Sequence, residues 1–594
     1  MIVGREARES RPSKASAFFD SRGSRAMDTG VSTPDCAEPV RWLLQARCSR
    51  KGKAALAAGL FRLDDKEVKM NFTDYLRMNA VKYSGKAALI ERHPARTRRR
   101  VLTWSDFNAE VNRVGNFLRK DLGIQKGDRV LHLFNNSIEW LMTYFGIIKI
   151  GAVVVPLNFR FIESDIAYAG DIAEPSVFLF GPEFLDRVKN VRERLKTVRR
   201  FIVEGEVCPE GMTPFSEIER STDTSECIVD MQDGDDLAVM FTSGTTGNAK
   251  PVIHTHGSMR ATAVGNGLSL PLTVDDNYLI VLPLYHSGSL FMWFSYYVVG
   301  ATGTIIREYR DPKWLLEAIE EEKANAFLAV VPMCVDLINQ IEAGKIDPRQ
   351  FDLSSWKYLT TGAQPVPPHI FSRLLELLPC NVIHTYGTTE AGGGATWCIY
   401  DADILRKPGS IGRPDFGVEG RIVDEAGKDV APGRVGEIAI RTPRLMKGYC
   451  RNADLTRQSI RDGFFYTGDL ARMDEEGYYY IVDRKKDMIT SGGENIYPVE
   501  IEEVLHEHPD VDDVAVIGYP DERFVEIVMA VVQLKEGRMV GAEEIIAFCK
   551  SRLAIYKVPR KVAFDQVPRN PTGKLLKTVL REKYSGAKEA FKMD

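Results

Sequence analysis

Residues 241–250 read Phe241-Thr242-Ser243-Gly244-Thr245-Thr246-Gly247-Asn248-Ala249-Lys250, and six of the ten are Gly, Ser or Thr. Apolar runs flank them, Leu237–Phe241 before and Val252–His256 after, so the spacing predicts two strands joined by a glycine-rich loop. Glycines let a backbone approach a ligand closely. Successive N–H groups and hydroxyls make a concave anion site, to which Lys250 adds positive charge. A polyphosphate suits such a loop. The P-loop pattern G-x-x-x-x-G-K-[ST] does not fit. Counted from Gly244, its second glycine is Ala249, its magnesium-holding hydroxyl is Pro251, and a β run follows where a helix should start. A flexible, hydroxyl-rich turn is the plain alternative.

Outward from this loop, strand and helix alternate. Upstream, strand Arg129–Phe134, helix Ser137–Ile150 and strand Ala152–Leu157 read as a βαβ unit with Gly151 ending the helix. Helix Ser164–Ile172, strand Val177–Phe180, helix Phe184–Lys196 and strand Phe201–Glu204 continue it. Downstream come strand Tyr278–Leu282, helix Leu290–Val299 and, after Gly300, strand Thr302–Arg307. The repeated helix–Gly–strand step hints at two related α/β layers. After Gly409 short strands and glycine turns take over, and from Pro498 a separate α+β unit begins. The fold class expected is α/β: a large N-terminal domain of layered sheets over 70–485 with a β-rich subdomain, then a small mobile α+β domain over 486–594.

The chain has 594 residues, 44% hydrophobic and 27% charged, with net charge −4. That composition is globular and excludes collagen-like, wholly disordered and small disulfide-stapled classes. The balance is not that of a nucleic-acid binder. Nine cysteines without a C-x2-C pair argue against structural zinc and fit a reduced, cytoplasmic protein. No run of 18 apolar residues predicts a transmembrane segment. Residues 1–69 differ, carrying net +5 against −9 for the rest. Met1–Met27 is rich in Arg and Ser like a transit peptide, yet Glu6, Glu9 and Asp20 run against that reading. Trp42–Arg62 has the pattern of a short basic amphipathic helix. The extension is expected to be disordered, with Met70 as a functional start.

Further motifs follow in order: Tyr386-Gly387-Thr388-Thr389-Glu390, Tyr466-Thr467-Gly468-Asp469-Leu470, Asp483-Arg484-Lys485-Lys486-Asp487, Ser491-Gly492-Gly493-Glu494 and Asn570-Pro571-Thr572-Gly573-Lys574. With the loop at 242–250, the chain resembles the adenylate-forming superfamily of acyl-CoA synthetases, luciferases and peptide-synthetase adenylation domains, over roughly residues 72–585. One departure stands out. Where that family has Pro-Lys-Gly, this chain has Ala249-Lys250-Pro251. Proline removes a backbone donor, which predicts a lost phosphate-facing N–H or a loop that closes differently.

The resemblance implies a two-step reaction: a carboxylic acid attacks ATP to give an acyl-adenylate and pyrophosphate, then coenzyme A takes the acyl group and AMP leaves. It assigns ATP and AMP contacts to Thr242, Ser243, Gly244, Thr245, Thr246, Gly247, Lys250, Gly362, Ala363, Tyr386, Gly387, Thr388, Asp469 and Arg484. Glu390 is implied as the Mg2+ ligand, Thr389 as an α-phosphate contact and Tyr386 as the adenine stack. Asp469, an acceptor-only carboxylate, would take the ribose hydroxyls. Lys574 is the implied main catalyst, its ammonium bridging carboxylate and α-phosphate. Lys486 is the implied hinge, and Gly492 and Gly493 the CoA tunnel. His286 and Gly288 would border the acyl pocket, with Leu290–Tyr297 and Gly362–Pro365 expected to contribute. His254 and His256, read as sharing a strand face, are taken as structural. A fatty acid is the favoured substrate. The alternatives are acyl transfer to a carrier protein, or a nucleotide or acyl-AMP sensor without turnover. Expected partners are small molecules only, and a homodimer is compatible with the resemblance.

Overall fold

The computed structural model describes residues 70–242, 249–363, 366–491, 494–521, 523–569 and 575–585. The extension 1–69, including the helix expected over Trp42–Arg62, lies outside them. Two large sheets carry the first part of the described chain. One has eight strands and is built on Val153–Pro156, Arg129–Leu133, Val177–Phe180 and Arg200–Val203, paired in parallel. Asp236–Thr242 joins it in parallel and Lys250–Thr255 pairs antiparallel with that strand, Thr242 opposite Lys250. The other sheet has nine strands. Its parallel centre includes Thr302–Ile306, Asn277–Ile280, Ala326–Val330, Tyr358–Gly362 and Asn381–Thr388.

The strands are apolar because helices cover their faces, as parallel sheets require. Helix Ile138–Lys149 starts where the Ser137 hydroxyl accepts from Trp140 N at 3.0 Å. Helix Ser287–Val299 ends at Gly300, whose φ of +80° is the left-handed cap glycine favours. The two helices meet between the sheets: the rings of Phe145 and Tyr297 are 4.8 Å apart, and those of Tyr144 and Phe294 are 5.9 Å apart. The step at Gly151 feeds the eight-stranded sheet and the step at Gly300 the nine-stranded one. The two related layers read from sequence are therefore two sheets.

A five-stranded sheet around Gly436–Arg441 and Phe464–Met473 follows, and a second five-stranded sheet forms the C-terminal part with helices Pro498–His506, Ala542–Lys550 and Lys577–Ser585. Two expectations change. The helix expected over 184–196 is an α-helix only from Leu185 to Val191, between tighter turns. His256 does not share a strand face with His254; it opens helix His256–Ser269. The cause is a reciprocal cap, Ser258 N to Thr255 Oγ1 at 3.1 Å and Thr255 N to Ser258 Oγ at 3.0 Å. Among the described residues no helix is long and apolar enough to cross a membrane.

Candidate active site

The carboxyl ends of parallel strands leave a crevice where ligands bind in open α/β sheets. Here both large sheets end at one cavity of about 730 Å3. Thr242 and Lys250 reach it from the antiparallel strand pair, and Gly362, Ala363, Gly387, Thr388, Thr389 and Glu390 from the nine-stranded sheet. His286 and Gly288 line it from the start of helix Ser287–Val299, Arg484 and Lys486 from the approach to the C-terminal part. Twelve of the residues singled out in the sequence thus line one cavity. Ser243, Gly244, Thr245, Thr246, Gly247, Gly492, Gly493 and Lys574 lie outside the described residues.

Tyr386 and Asp469 stand together at the edge. The Tyr386 hydroxyl donates to Asp469 Oδ2 at 2.6 Å, and Arg484 Nε lies 3.1 Å from Asp469 Oδ1. Burial, with the Asp469 charge beside it, holds the Tyr386 hydroxyl protonated far above its ordinary range. The Tyr386 ring meets Trp397 edge-on at 5.6 Å. Asp469 is only 3% exposed, so its remaining lone pairs are what it can offer a ligand.

Thr389 is fixed from two sides. Its hydroxyl shares a 2.8 Å hydrogen bond with Ser287, and its carbonyl accepts from His254 Nε2 at 2.8 Å. Burial pushes the His254 imidazole down to about 4, so the ring is neutral and Nε2 carries the proton the carbonyl needs. Glu390 Oε1 accepts from Tyr449 Oη at 3.0 Å. At the strand end, Gly362 is needed for close approach: a Cβ there would sit 2.1 Å from the Thr385 carbonyl. Ala363 follows with φ +67°, a strained value for a residue with a side chain, at the cavity rim.

Two sequence expectations are corrected. The aromatic stripe of helix Ser287–Val299 is core: Phe291, Trp293, Phe294, Tyr296 and Tyr297 are all 0% exposed, and only the helix's first turn reaches the cavity. Of the two outcomes expected at Pro251, its missing N–H is not turned toward the loop; a loop that closes differently would fall on residues 243–248, outside the described residues. The Pro251 carbonyl accepts from Cys450 N at 2.8 Å, so its missing N–H faces the short edge strand Gly448–Tyr449, away from the antiparallel partner Asp236–Thr242. Sequence reasoning missed Ser287, Tyr449 and Glu437, and left Lys485, quoted within the 483–487 motif, without a role. Nothing in the local spacing of the first three marks them, since their partners lie 102, 59 and 31 residues away.

The family model for AMP-binding enzymes matches residues 76–450, and that for the AMP-binding enzyme C-terminal domain matches 500–574. The chain belongs to the AMP-binding enzyme family. A long-chain-fatty-acid–CoA ligase of Mycobacterium tuberculosis (strain ATCC 25618 / H37Rv) is 35% identical over 82% of this chain and 93% of its own length. A feruloyl-CoA synthase of Amycolatopsis sp. is 35% identical over 81% of this chain and 94% of its own. Among solved structures, the o-succinylbenzoate coenzyme A synthetase of Bacillus subtilis, in complex with ATP and magnesium ion, matches with a TM-score of 0.74 and 27% identity, covering 85% of this chain and 99% of that one. This AMP-binding enzyme is an AMP-forming acid–CoA ligase.

Proposed function

We propose that this ligase activates an apolar monocarboxylic acid of the fatty-acid class with ATP, magnesium and coenzyme A. The observation that carries the reading is the lining of the cavity. Its charged members are Lys250, Glu390, Glu437, Arg461, Arg484, Lys485 and Lys486, and it also takes in Leu282, Pro283, Tyr285, Leu328 and Val330. Leu328 stands beside Gly288, 3.3 Å from where a Cβ on that glycine would sit. A second carboxylate set against these apolar side chains would be buried without a partner, which is costly.

The charged lining suits the chemistry. Lys250 and the loop it closes hold phosphates, and the fixed Thr389 hydroxyl meets the α-phosphate. A carboxylate oxygen attacks α-phosphorus, the bond to the bridging oxygen breaks, and pyrophosphate carries away the electron pair. Catalysis needs positioning and charge neutralisation rather than a protein nucleophile. Glu390 fits a magnesium site: one oxygen is held by Tyr449, and the described residues contain no cluster of three or more His, Cys, Asp or Glu that would build an all-protein cage. Magnesium, when bound, neutralises phosphate charge. Asp469 and Arg484 take the ribose, and Lys574 approaches from the C-terminal part, which then pivots at Lys486 so that the thiol of coenzyme A enters past Gly492 and Gly493.

The test is a panel of acetate, octanoate, palmitate, cinnamate and malonate with ATP, magnesium and coenzyme A, followed by pyrophosphate release and thioester formation. The highest kcat/KM is expected for octanoate or palmitate. A preference for malonate or cinnamate over both overturns the substrate class. ATP binding with no acid-stimulated pyrophosphate exchange would establish the sensor alternative instead.

A further inference from the structure

We propose that Tyr449 is a positioning residue that sets the spacing between Lys250 and Glu390, with its ring under the first and its hydroxyl on the second. This rests on the reading that Lys250 holds phosphate and Glu390 holds magnesium. Neither the motif pattern nor the relatives' names point to this tyrosine; the geometry does. Lys250 Nζ sits over the Tyr449 ring, 5.4 Å from its centroid, within the range of a cation–π contact. The hydroxyl of the same ring donates to Glu390 Oε1 at 3.0 Å. One rigid side chain therefore touches both charges that a metal-bound polyphosphate must lie between.

The backbone around Tyr449 is tied both to Glu390 itself and to the strand that begins at Lys250. Met446 N donates to the Glu390 carbonyl at 2.8 Å. Lys447 N donates to the Ile253 carbonyl and Cys450 N to the Pro251 carbonyl, both at 2.8 Å, on the strand that begins at Lys250. Residues 446–450 thus stitch strand Lys250–Thr255 of one large sheet to the turn that follows strand Asn381–Thr388 of the other. Tyr449 N is held by Thr456 Oγ1 at 2.9 Å. Gly448 lets the chain turn there with φ +154°, and a Cβ at that position would meet Thr456 Cγ2 at 2.7 Å. The tyrosine is 4% exposed. A carboxylate oxygen only accepts, so the phenol hydroxyl is the donor to Glu390. A lysine and a carboxylate on separate sheets would otherwise be free to pair with each other or turn outward; the ring keeps them apart and aimed at one volume.

The bland alternative is that Tyr449 only packs, against Val252, Ala391 and Met446. The two readings separate in the full-length protein by ATP-binding calorimetry, metal-free and across a magnesium titration, with melting curves alongside. Tyr449→Phe keeps the ring and removes the hydroxyl. It should raise the magnesium concentration for half-maximal effect by about tenfold and leave metal-free ATP affinity within about twofold of wild type. Tyr449→Leu removes both, and should add a loss of about threefold in metal-free ATP affinity. Lys250→Ala should then cost less in the Leu background than in the Phe background. An unchanged magnesium midpoint in Tyr449→Phe, with wild-type dependence normal, overturns the proposal alone. Wild-type ATP binding with no magnesium dependence overturns the metal reading and this placement with it. Equal metal-free affinity in the Phe and Leu variants overturns the role of the ring. If Tyr449→Leu does not fold, the phenylalanine variant, which keeps the packing, decides between positioning and packing.

Discussion

Ser287 Oγ and Thr389 Oγ1 share a hydrogen bond of 2.8 Å across 102 residues of sequence, joining the first turn of the helix that separates the sheets to the short 3-10 turn Thr389–Ala391 that carries Glu390. The hydroxyl expected to meet the α-phosphate is thereby held in one rotamer before any ligand arrives. Ser287→Ala should lower kcat for acid-dependent pyrophosphate exchange by about threefold to tenfold, with little change in KM for the acid. Steady-state exchange assays check this. An unchanged kcat would mean that Thr389 needs no such support.

Lys486 lies between two anchored neighbours. Lys485 Nζ is 3.2 Å from Glu437 Oε2, beside Gly468 N, which donates to the same carboxylate at 3.0 Å. Asp487 Oδ1 accepts from Arg581 Nη1 at 2.8 Å, in helix Lys577–Ser585. These ties confine a rotation to the peptide units around Lys486. Lys486→Pro should spare adenylation and stop thioester formation, whereas Lys574→Ala should abolish adenylation and spare thioester formation from supplied acyl-AMP. Single-turnover assays of each half-reaction give the answer, and loss of the same half in both variants would remove the hinge assignment.

Burial pushes the Lys486 ammonium from its usual 10.5 down to about 8; Asp487 opposes the shift, and Arg484, Arg581 and Lys250 add to it. Below pH 8 the folded and unfolded chains both carry this charge. Between 8 and 10.5 the unfolded chain binds more protons, so this group's contribution to stability rises with pH across that window. Its pull on ATP moves the other way. The kcat/KM for ATP should fall through an inflection near pH 8 that Lys486→Met lacks.

Trp293 is fully buried, and a Cβ on Gly303 would lie 2.6 Å from its ring. Trp293→Ala should therefore cost about 3–5 kcal/mol of stability by leaving a cavity, without changing the order of preference among acids. Denaturant unfolding beside the substrate panel tests both halves. A changed preference with unchanged stability would return the stripe to the acyl pocket.

Features written locally were legible from the residues alone. Alternating apolar runs placed the parallel strands, Gly151 and Gly300 marked helix ends, and contiguous motifs named Glu390, Asp469 and Arg484, because strand period, left-handed caps and loop chemistry depend on neighbours a few residues apart. Packing was needed to learn that the aromatic stripe of helix Ser287–Val299 is core, which way the donorless nitrogen of Pro251 points, and that Ser287, His254, Tyr449 and Glu437 support the cavity. The physical reason is that a helix apolar on every side has no periodicity to read, and that hydrogen bonds between strand ends on two different sheets exist only once the sheets have packed.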